Sequence, residues 1–282
     1  MNSQYPQILY KYRNCSDSDC SIENLKNSVV WCSTLDNYND PYEGYSTISF
    51  LPCFKAFLSR TNKYNKEYLN SIGNIDELIN FIKKECPLTH DKAKEFLNYH
   101  KKIFEKKRKM YRDMNIQSTA ICSFSEENNN GLMWAHYSDS HKGFCIAYDT
   151  EQMQNNLYKV NYAKKIFNIT DEFVKALKSN ENYVANNNLA IQMCTQKDII
   201  WEYEKEWRII FSEIDKNPEI PSANQENKGF LYNLTPKAVY LGSKMKNNKK
   251  EQIVKIAKEQ NLDIYEMEMD NDNYILLPKK IF

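Results

Sequence analysis

Alternating and helical hydrophobic patterns divide the chain into strand-rich parts and a helical middle. The alternation in QILYKYR (7–13) predicts a half-buried strand, and VVWCST (29–34) predicts a second one. From residue 54 to 115, apolar residues recur at helical spacing. Further strands are predicted at TAICSFS, GFCIAYD, AVYLG, DIYEMEMD and NYILLP, and further helices at LMWAHYSDS and KNNKKEQIVKIAKEQN.

Other segments have weaker patterns. Residues 158–162 are expected to add a strand and residues 171–195 to form one helix, while EKEWRIIF (204–211) fits either a strand or a helix end. The chain has no repeat and no long linker. We therefore expect one α+β domain over residues 1–282, built on a mixed or antiparallel sheet, with a helical insertion at residues 54–115.

Composition and charge narrow the class of protein. Lys and Arg number 38 against 37 Asp and Glu, so the whole chain has no charge that would attract nucleic acid or anionic lipid. The basic residues of the helical middle could form a phosphate-binding patch, but a solvated helix face is the more common arrangement. The N-terminal residues lack the pattern of a secretion signal, and no apolar run is long enough to span a membrane. A cytoplasmic protein that does not bind membranes is expected.

The eight cysteines are scattered, without a C-x-x-C pair or histidines at ligand spacing. They are expected to be reduced thiols in the core, and no metal site is assigned to them. His136 and His141 are better explained as hydrogen-bonded side chains than as ligands. Asp40 and Glu43, in NDPYEG (39–44), have oxygen atoms that a divalent metal could use, but Asn-Asp-Pro is also strong turn chemistry.

The stretch WEYEKEWRII (201–210) holds an unusual density of charge and aromatic rings. As a strand, it would place one set of charged residues on a single face, namely Glu202, Glu204, Glu206 and Arg208. Neighbouring carboxylates raise one another's pKa and a guanidinium lowers it, which is how a site obtains one acid and one base. As a helix, the stretch would instead form an ordinary surface ion pair between Glu204 and Arg208. Both interpretations stay open at this point.

Two further segments carry candidate binding residues. Ser123 and Ser125, in SFS, share a strand face just before a polar loop, where they could meet a ligand or only form a turn. Trp134 and Tyr137 lie on one face of the short helix that follows. Their rings could pack in the core or form a flat surface for stacking an aromatic ligand. The chain lacks the phosphate-loop, dinucleotide-binding, zinc-protease and α/β-hydrolase motifs.

The segments LYKYR, NLKNSVVWCSTLDNYNDPYEG, ICSFSE, GLMWAHYSDSHKGFCIAYD and WEYEKEWRIIF, in this order, resemble a large bacterial family with an uncharacterised domain. That family occurs near phage-resistance genes and is related to an abortive-infection protein group. The resemblance spans nearly the whole chain. It implies a bacterial defence protein and leaves the activity open.

A more distant likeness is to the ADP-ribosyltransferase superfamily, particularly the bacterial toxins that modify DNA. The resemblance implies a split sheet and three separated site elements that act on NAD as substrate. They correspond to Lys11 or Arg13 on the first strand, to Ser123 and Ser125 with Trp134 and Tyr137, and to Glu204 with Glu206. The chain departs from that superfamily in having no histidine in the first element and a helical insertion before the second.

The resemblance also implies roles for these residues. Glu206 would stabilise the oxocarbenium cation and bind the ribose hydroxyl, and Glu204 would be the base that activates an acceptor. A cation, Lys11 or Arg13, would hold the pyrophosphate or ribose. The serines and the aromatic rings would hold nicotinamide.

The leading hypothesis is therefore an NAD-consuming ADP-ribosyltransferase-like effector of phage defence or of a toxin system, acting as a transferase or as an NAD glycohydrolase. Its acceptor would be a nucleic acid, a protein, a small molecule or water, and its partners would be proteins of a defence operon. One alternative is a metal-dependent nuclease using Asp40, Glu43 and a later glutamate. Another is a sensor or binding module without catalytic activity.

Overall fold

The structure is a computed structural model that describes residues 5–16, 20–61, 63–117, 119–178, 187–212 and 229–282. Its strands are β1 (Ile8–Arg13), β2 (Val29–Ser33), β3 (Ser46–Thr47), β4 (Thr119–Ser125), β5 (Phe144–Asp149), β6 (Leu157–Lys159), β7 (Asn161–Ala163), β8 (Phe167–Asn168), β9 (Gln196–Asp198), β10 (Glu206–Ser212), β11 (Gly229–Asn233), β12 (Pro236–Leu241), β13 (Asp263–Met269) and β14 (Leu276–Lys280). Its helices are α1 (Ser21–Lys26), α2 (Phe50–Ser59), α3 (Lys66–Ser71), α4 (Ile75–Glu85), α5 (His90–Gln117), α6 (Gly131–Tyr137), α7 (Thr170–Lys178), α8 (Asn187–Cys194) and α9 (Asn247–Glu259).

These elements group into two compact units. The sheet unit comprises Met1–Asp40, Gln117–Lys164 and Cys194–Phe282, and the helical unit comprises Pro41–Ile116 and Lys165–Met193. None of the helices formed by the described residues is both long and apolar enough to cross a membrane.

The sheet unit is built on one large sheet. Its hydrogen-bonded order is β11-β2-β4-β1-β5-β12-β13-β14, and β10 pairs with β4 and with β6. The pairs are antiparallel except for β12 with β13, which is parallel. The predicted α+β class is confirmed, and of the two sheet types expected, mixed or antiparallel, the sheet is mixed and mostly antiparallel.

The sheet splits along one edge of β4. On one side, β10 pairs with β4 along its full length. On the other side, β1 pairs with β4 at Ser125 and β2 pairs with it at Ile121. Ser123 lies between these two positions, and its carbonyl oxygen accepts a hydrogen bond from Lys11 Nζ at 2.9 Å. A side chain thus satisfies a backbone group at the point where β1 and β2 part, as burial of that group requires.

The centre of this sheet is buried on both faces. Along β5, Phe144, Ile146 and Tyr148 belong to one hydrophobic cluster and Cys145 and Ala147 to another, which is the alternation that a strand covered on both faces must show. Residues of α1 and α9 complete the first cluster and residues of α6 complete the second. This packing fixes the strands that carry the candidate site.

The helical unit has its own core. Helices α2, α3, α4, α5 and α7 contribute, in that order, Phe54, Leu69, Leu78, Phe104 and Phe173 to a shared hydrophobic cluster. The strands β3 and β8 form a short parallel pair within the unit. Apolar residues at helical spacing therefore bury one stripe of each helix, as the pattern predicts.

Several local predictions are wrong. Residues 158–162 do not form one strand, because β6 pairs with β10 whereas β7 pairs with β9. The single helix expected over residues 171–195 is α7 and α8 instead, and residues 179–186 between them lie outside the described residues. Neither interpretation of residues 202–208 holds throughout, since Ile199–Glu204 is a 3-10 helix and β10 begins at Glu206.

Candidate functional site

A cleft of about 460 Å³ opens at the split of the sheet, within the sheet unit. Four groups of residues line it. From β1 come Tyr10, Lys11, Tyr12 and Arg13; from β2 and the turn after it, Trp31, Ser33, Asn37, Tyr38 and Asn39; from β4, Ile121, Ser123, Phe124 and Ser125; and from the remaining elements, Met133, His136, Tyr137, Lys197, Glu204 and Glu206. The three segments singled out in the sequence therefore meet at one place.

Two glutamates share one buried lysine in this cleft. Lys197 Nζ donates to Glu204 Oε2 at 2.5 Å and to Glu206 Oε2 at 3.0 Å, and all three side chains are almost completely buried. Lys205 has a left-handed backbone conformation (φ 44°) and forms the turn between the 3-10 helix Ile199–Glu204 and β10. The turn places both carboxylates within hydrogen-bond distance of one ammonium.

Glu206 is held as an ionised carboxylate. Arg208 Nε donates to Oε1 at 2.8 Å and Arg208 Nη2 to Oε2 at 2.9 Å, which is a bidentate pair. Burial by itself would raise the pKa of Glu206, but the charges of Arg208 and Lys197 outweigh it and hold this pKa well below its ordinary value. Arg208 is itself fully buried, and its Nη1 donates to the carbonyl of Cys194 at 2.5 Å.

The pKa of Glu204 is displaced in the opposite direction. Burial raises its pKa, and the neighbouring Glu206 carboxylate raises it further, against the lowering effects of Lys197 and Tyr137. Tyr137 OH donates to Glu204 Oε1 at 2.6 Å. Two carboxyl groups that share one lysine thus have pKa values displaced in opposite directions, which is the condition for one to exchange protons while the other remains charged.

Lys11 and Arg13 reach the cleft from the other face of β1. Because Tyr10 pairs with Ser125, Tyr10 shares the sheet face of the β4 serines, and alternation turns Lys11 and Arg13 away from it. Lys11 is buried, and burial lowers its pKa. Its ammonium is committed to the carbonyl of Ser123. Arg13 differs, because its Nη2 atom is buried and has no hydrogen-bond partner among the described residues.

The two serines of β4 have different partners. Ser123 Oγ lies 2.9 Å from Tyr38 OH, and its hydrogen bond to the Glu206 carboxylate helps to lower the pKa of Glu206. Ser125 Oγ donates to the carbonyl of Glu204 at 2.7 Å. Ser123 is therefore placed beside the ionised carboxylate, whereas Ser125 fixes the turn that carries Glu204.

Trp134 lies in the core, whereas Tyr137 lines the cleft. The ring of Trp134 is completely buried, packs edge-on against Tyr12 at 5.3 Å, and its Nε1 donates to the carbonyl of Asn128 at 2.7 Å. It does not line the cleft, in contrast to Tyr137. Only one of the two rings expected to contact a ligand is placed to do so.

The residues proposed for the metal-dependent alternative are also buried. Asp40 and Glu43 are 7% and 2% exposed. Within the described part of the chain, no group of three or more His, Cys, Asp and Glu side chains has the arrangement of a metal site. His136 lines the cleft, and its ring lies 6.4 Å from that of Tyr203.

Sequence reasoning missed Lys197 and Tyr38. Lys197 lies on the three-residue strand β9, which is held by β7 through long-range pairing and has no periodic pattern of its own. Tyr38 follows a short 3-10 turn, Leu35–Asn37, where neither a helix nor a strand was predicted from the sequence. Both residues gain their significance from contacts across the sheet, which local patterns do not report.

Part of the chain matches a known protein family. The profile of a family described as "Protein of unknown function (DUF2971)" matches residues 133–209. This range contains Tyr137, Lys197, Glu204, Glu206 and Arg208, and it excludes β1 and β4. No curated protein and no solved structure matches the chain.

Proposed function

We propose that the chain is an NAD-consuming ADP-ribosyltransferase-like enzyme that cleaves the bond between nicotinamide and ribose. The observation that carries this proposal is the order of three neighbouring strands, β1, β4 and β10, which bring a cation, a serine and a glutamate pair to one cleft. These are the three elements that the resemblance to the superfamily implies.

The ionised state of Glu206 suits cleavage of this bond. As neutral nicotinamide leaves with the bonding electron pair, positive charge develops on the ribose as an oxocarbenium ion. A carboxylate that stays charged because Arg208 and Lys197 hold its pKa low can stabilise that cation at any moderate pH. Both Glu206 oxygen atoms already accept hydrogen bonds, so its contribution is mainly electrostatic.

The raised pKa of Glu204 suits a general base. The acceptor, or water in a glycohydrolase, attacks the ribose carbon and must lose a proton as it does so. A carboxylate whose pKa is moved toward neutrality accepts that proton more readily than an ordinary one. Tyr137 donates a hydrogen bond to one oxygen of this carboxylate and so fixes its position in the cleft.

Arg13 is the cation that fits the phosphates of NAD. Its Nη2 atom has no partner among the described residues, whereas the Lys11 ammonium holds the main chain of β4. A guanidinium binds phosphate oxygens through directed N–H donors. Arg13 also lines a second cavity of about 400 Å³ beside the first, which includes Asn14, Ser16 and Asp139. The extra volume accommodates the part of a dinucleotide that does not react.

The proposed role follows the family resemblance: an intracellular effector of phage defence or of a toxin system, with a nucleic acid, a protein, a small molecule or water as acceptor. Partner proteins would be encoded in the same defence operon.

Release of nicotinamide from NAD by the purified protein, with and without cell lysate, tests the activity. Glu204→Gln should lose at least a hundredfold in rate, because the base is replaced by an isosteric amide. Glu202→Gln is the matched control, since Glu202 is exposed in the same 3-10 helix. A chelator should leave the rate unchanged. Equal rates in the two variants, or no release from the folded wild type under any condition, would contradict the proposal.

A further inference from the structure

A second cavity, in the helical unit, has a charge pattern that the proposed reaction does not use. Its volume is about 640 Å³, and its wall is formed by α2, α3, α7 and the residues that follow α3. Four basic side chains line it, Lys55, Arg60, Lys66 and Lys178, and none of the described residues that line it is acidic.

The floor of this cavity is apolar and is formed by residues of the hydrophobic core. Leu69 is 1% exposed and Ile72 is 4% exposed, and both belong to the hydrophobic core of the helical unit. Leu51 and Val174 pack against the same core from α2 and α7. The basic side chains therefore surround a surface whose shape is fixed by core packing rather than by the side chains themselves.

Lys55 is the most firmly placed of the four cations. Its Nζ donates to the carbonyl oxygens of Asn70 and Ile72 at 2.9 and 2.8 Å. An ammonium has three donors, so within the described residues one N–H of Lys55 has no acceptor. Its charge is stabilised by neutral carbonyl groups and is not cancelled by a carboxylate among them.

The charge of the whole helical unit has the same sign as the cavity. Residues 41–116 and 165–193 contain 18 Lys and Arg against 12 Asp and Glu, whereas the rest of the chain contains 20 against 25. The near-neutral net charge of the chain is therefore the sum of a basic helical unit and an acidic sheet unit. Such segregation creates a local attraction for anions that the net charge of the chain does not reveal.

We propose that this cavity binds the phosphate groups of a nucleic acid strand or of a free nucleoside polyphosphate. The phosphate groups of such a ligand can pair with several of the cations that line the cavity, and its apolar floor can accept a ribose or a base edge. Among the residues that the structure describes, no aromatic ring lines the cavity, so the proposed recognition rests on phosphates and has little base preference. This site is distinct from the sheet-unit cleft and does not depend on the reaction proposed there.

The test is fluorescence anisotropy with a labelled single-stranded 12-nucleotide oligomer of mixed sequence, titrated with full-length protein at low and moderate salt. The cavity variant carries Lys66→Gln and Lys178→Gln, two exposed side chains whose replacement leaves the core intact. A third variant adds Lys55→Gln. The matched control carries Lys101→Gln and Lys102→Gln, which remove the same charge from exposed positions of α5 outside the cavity.

The double cavity variant should lose at least tenfold in affinity, and the control should lose less than threefold. The slope of log affinity against log salt should fall by about 1.4 in the double cavity variant, on the order of 0.7 for each lost phosphate contact. Displacement of the oligomer by a nucleoside triphosphate would support the proposal with the free nucleotide as ligand, and failure of displacement would support it with the strand as ligand. Equal losses in both double variants, or no binding by the wild type at low salt, would overturn it.

Discussion

Glu204 and Glu206 accept hydrogen bonds from the same atom, Lys197 Nζ, at 2.5 and 3.0 Å, yet their pKa values are displaced in opposite directions. The difference arises in what else each carboxylate touches. Glu206 has the bidentate guanidinium of Arg208, whereas Glu204 has, among the described residues, only the neutral hydroxyl of Tyr137 besides the lysine. One additional cationic partner is therefore enough to keep Glu206 ionised while Glu204 remains able to exchange a proton.

Replacing Lys197 tests whether this lysine stabilises the buried pair of Glu204 and Glu206. Lys197→Gln should lower the free energy of unfolding by about 3–5 kcal/mol at pH 7, because two buried carboxyl groups lose their common cation. The loss should be smaller at pH 5 than at pH 7, because the raised pKa of Glu204 favours its protonation on acidification, which relieves the repulsion between the two carboxylates. Urea unfolding at both pH values measures the effect. Lys205→Gln is the control: its ion pair with Glu127 is half exposed, so a loss of less than about 1 kcal/mol is expected. A similar loss in both variants would show that Lys197 does not hold the pair.

Replacing Glu206 tests the buried ion pair with Arg208. Glu206→Gln should cost about 3–5 kcal/mol at pH 7, because the fully buried guanidinium loses its carboxylate. Glu206→Gln combined with Arg208→Met should recover part of this loss. Glu206→Gln is for this reason a poor probe of catalysis alone, and Glu204→Gln is the cleaner one.

The pH dependence of the Glu206 variant has a definite sign. The folded-state pKa of Glu206 is depressed, so its contribution is complete above the unfolded value of about 4.3 and is lost as pH falls through the lower folded value. The difference in melting temperature between wild type and Glu206→Gln should therefore be constant from pH 6 to 8 and shrink below about pH 4. A difference that grows on acidification would contradict an ionised Glu206.

Replacing Tyr137 tests the assignment of Glu204 as base. Tyr137→Phe removes a donor that stabilises the charged form of Glu204, so the pKa of this carboxyl should rise further. The acidic limb of the rate of nicotinamide release against pH, where the base becomes ionised, should move to higher pH. Tyr42→Phe, at an exposed position, should leave the profile unchanged. An unshifted limb in Tyr137→Phe would remove Glu204 from the role of base.

Local patterns predicted the strands that carry the site, but not how the site is assembled. The alternation of QILYKYR and the apolar pattern of TAICSFS identified β1 and β4, and the α+β class followed from the order of such elements. That β1, β4 and β10 are neighbours depends on pairing between residues far apart in the chain, as between Tyr10 and Ser125 and between Ser125 and Glu206. Single-residue patterns contain no information on that pairing.

The position of Glu204 could not be predicted for a different reason. Alternation of charge in WEYEKEWRII is typical of a strand, but Lys205 adopts a left-handed conformation that ends the 3-10 helix and redirects the chain. A lysine rarely takes that conformation without tertiary support. The partner that gives the turn its meaning, Lys197, comes from the separate short strand β9. Tertiary contacts therefore decided the local structure here.

The central claim, that the sheet-unit cleft is an NAD site, is tested most directly by calorimetric titration of NAD into the wild type and into Arg13→Gln. The Arg13 guanidinium has a buried Nη2 atom with no partner among the described residues, and loss of a phosphate contact should weaken binding at least tenfold. Lys142→Gln, at an exposed position, is the control. Binding by the wild type and the control but weak binding by Arg13→Gln is the predicted result. No NAD binding by the folded wild type, or equal affinities in all three proteins, would contradict it.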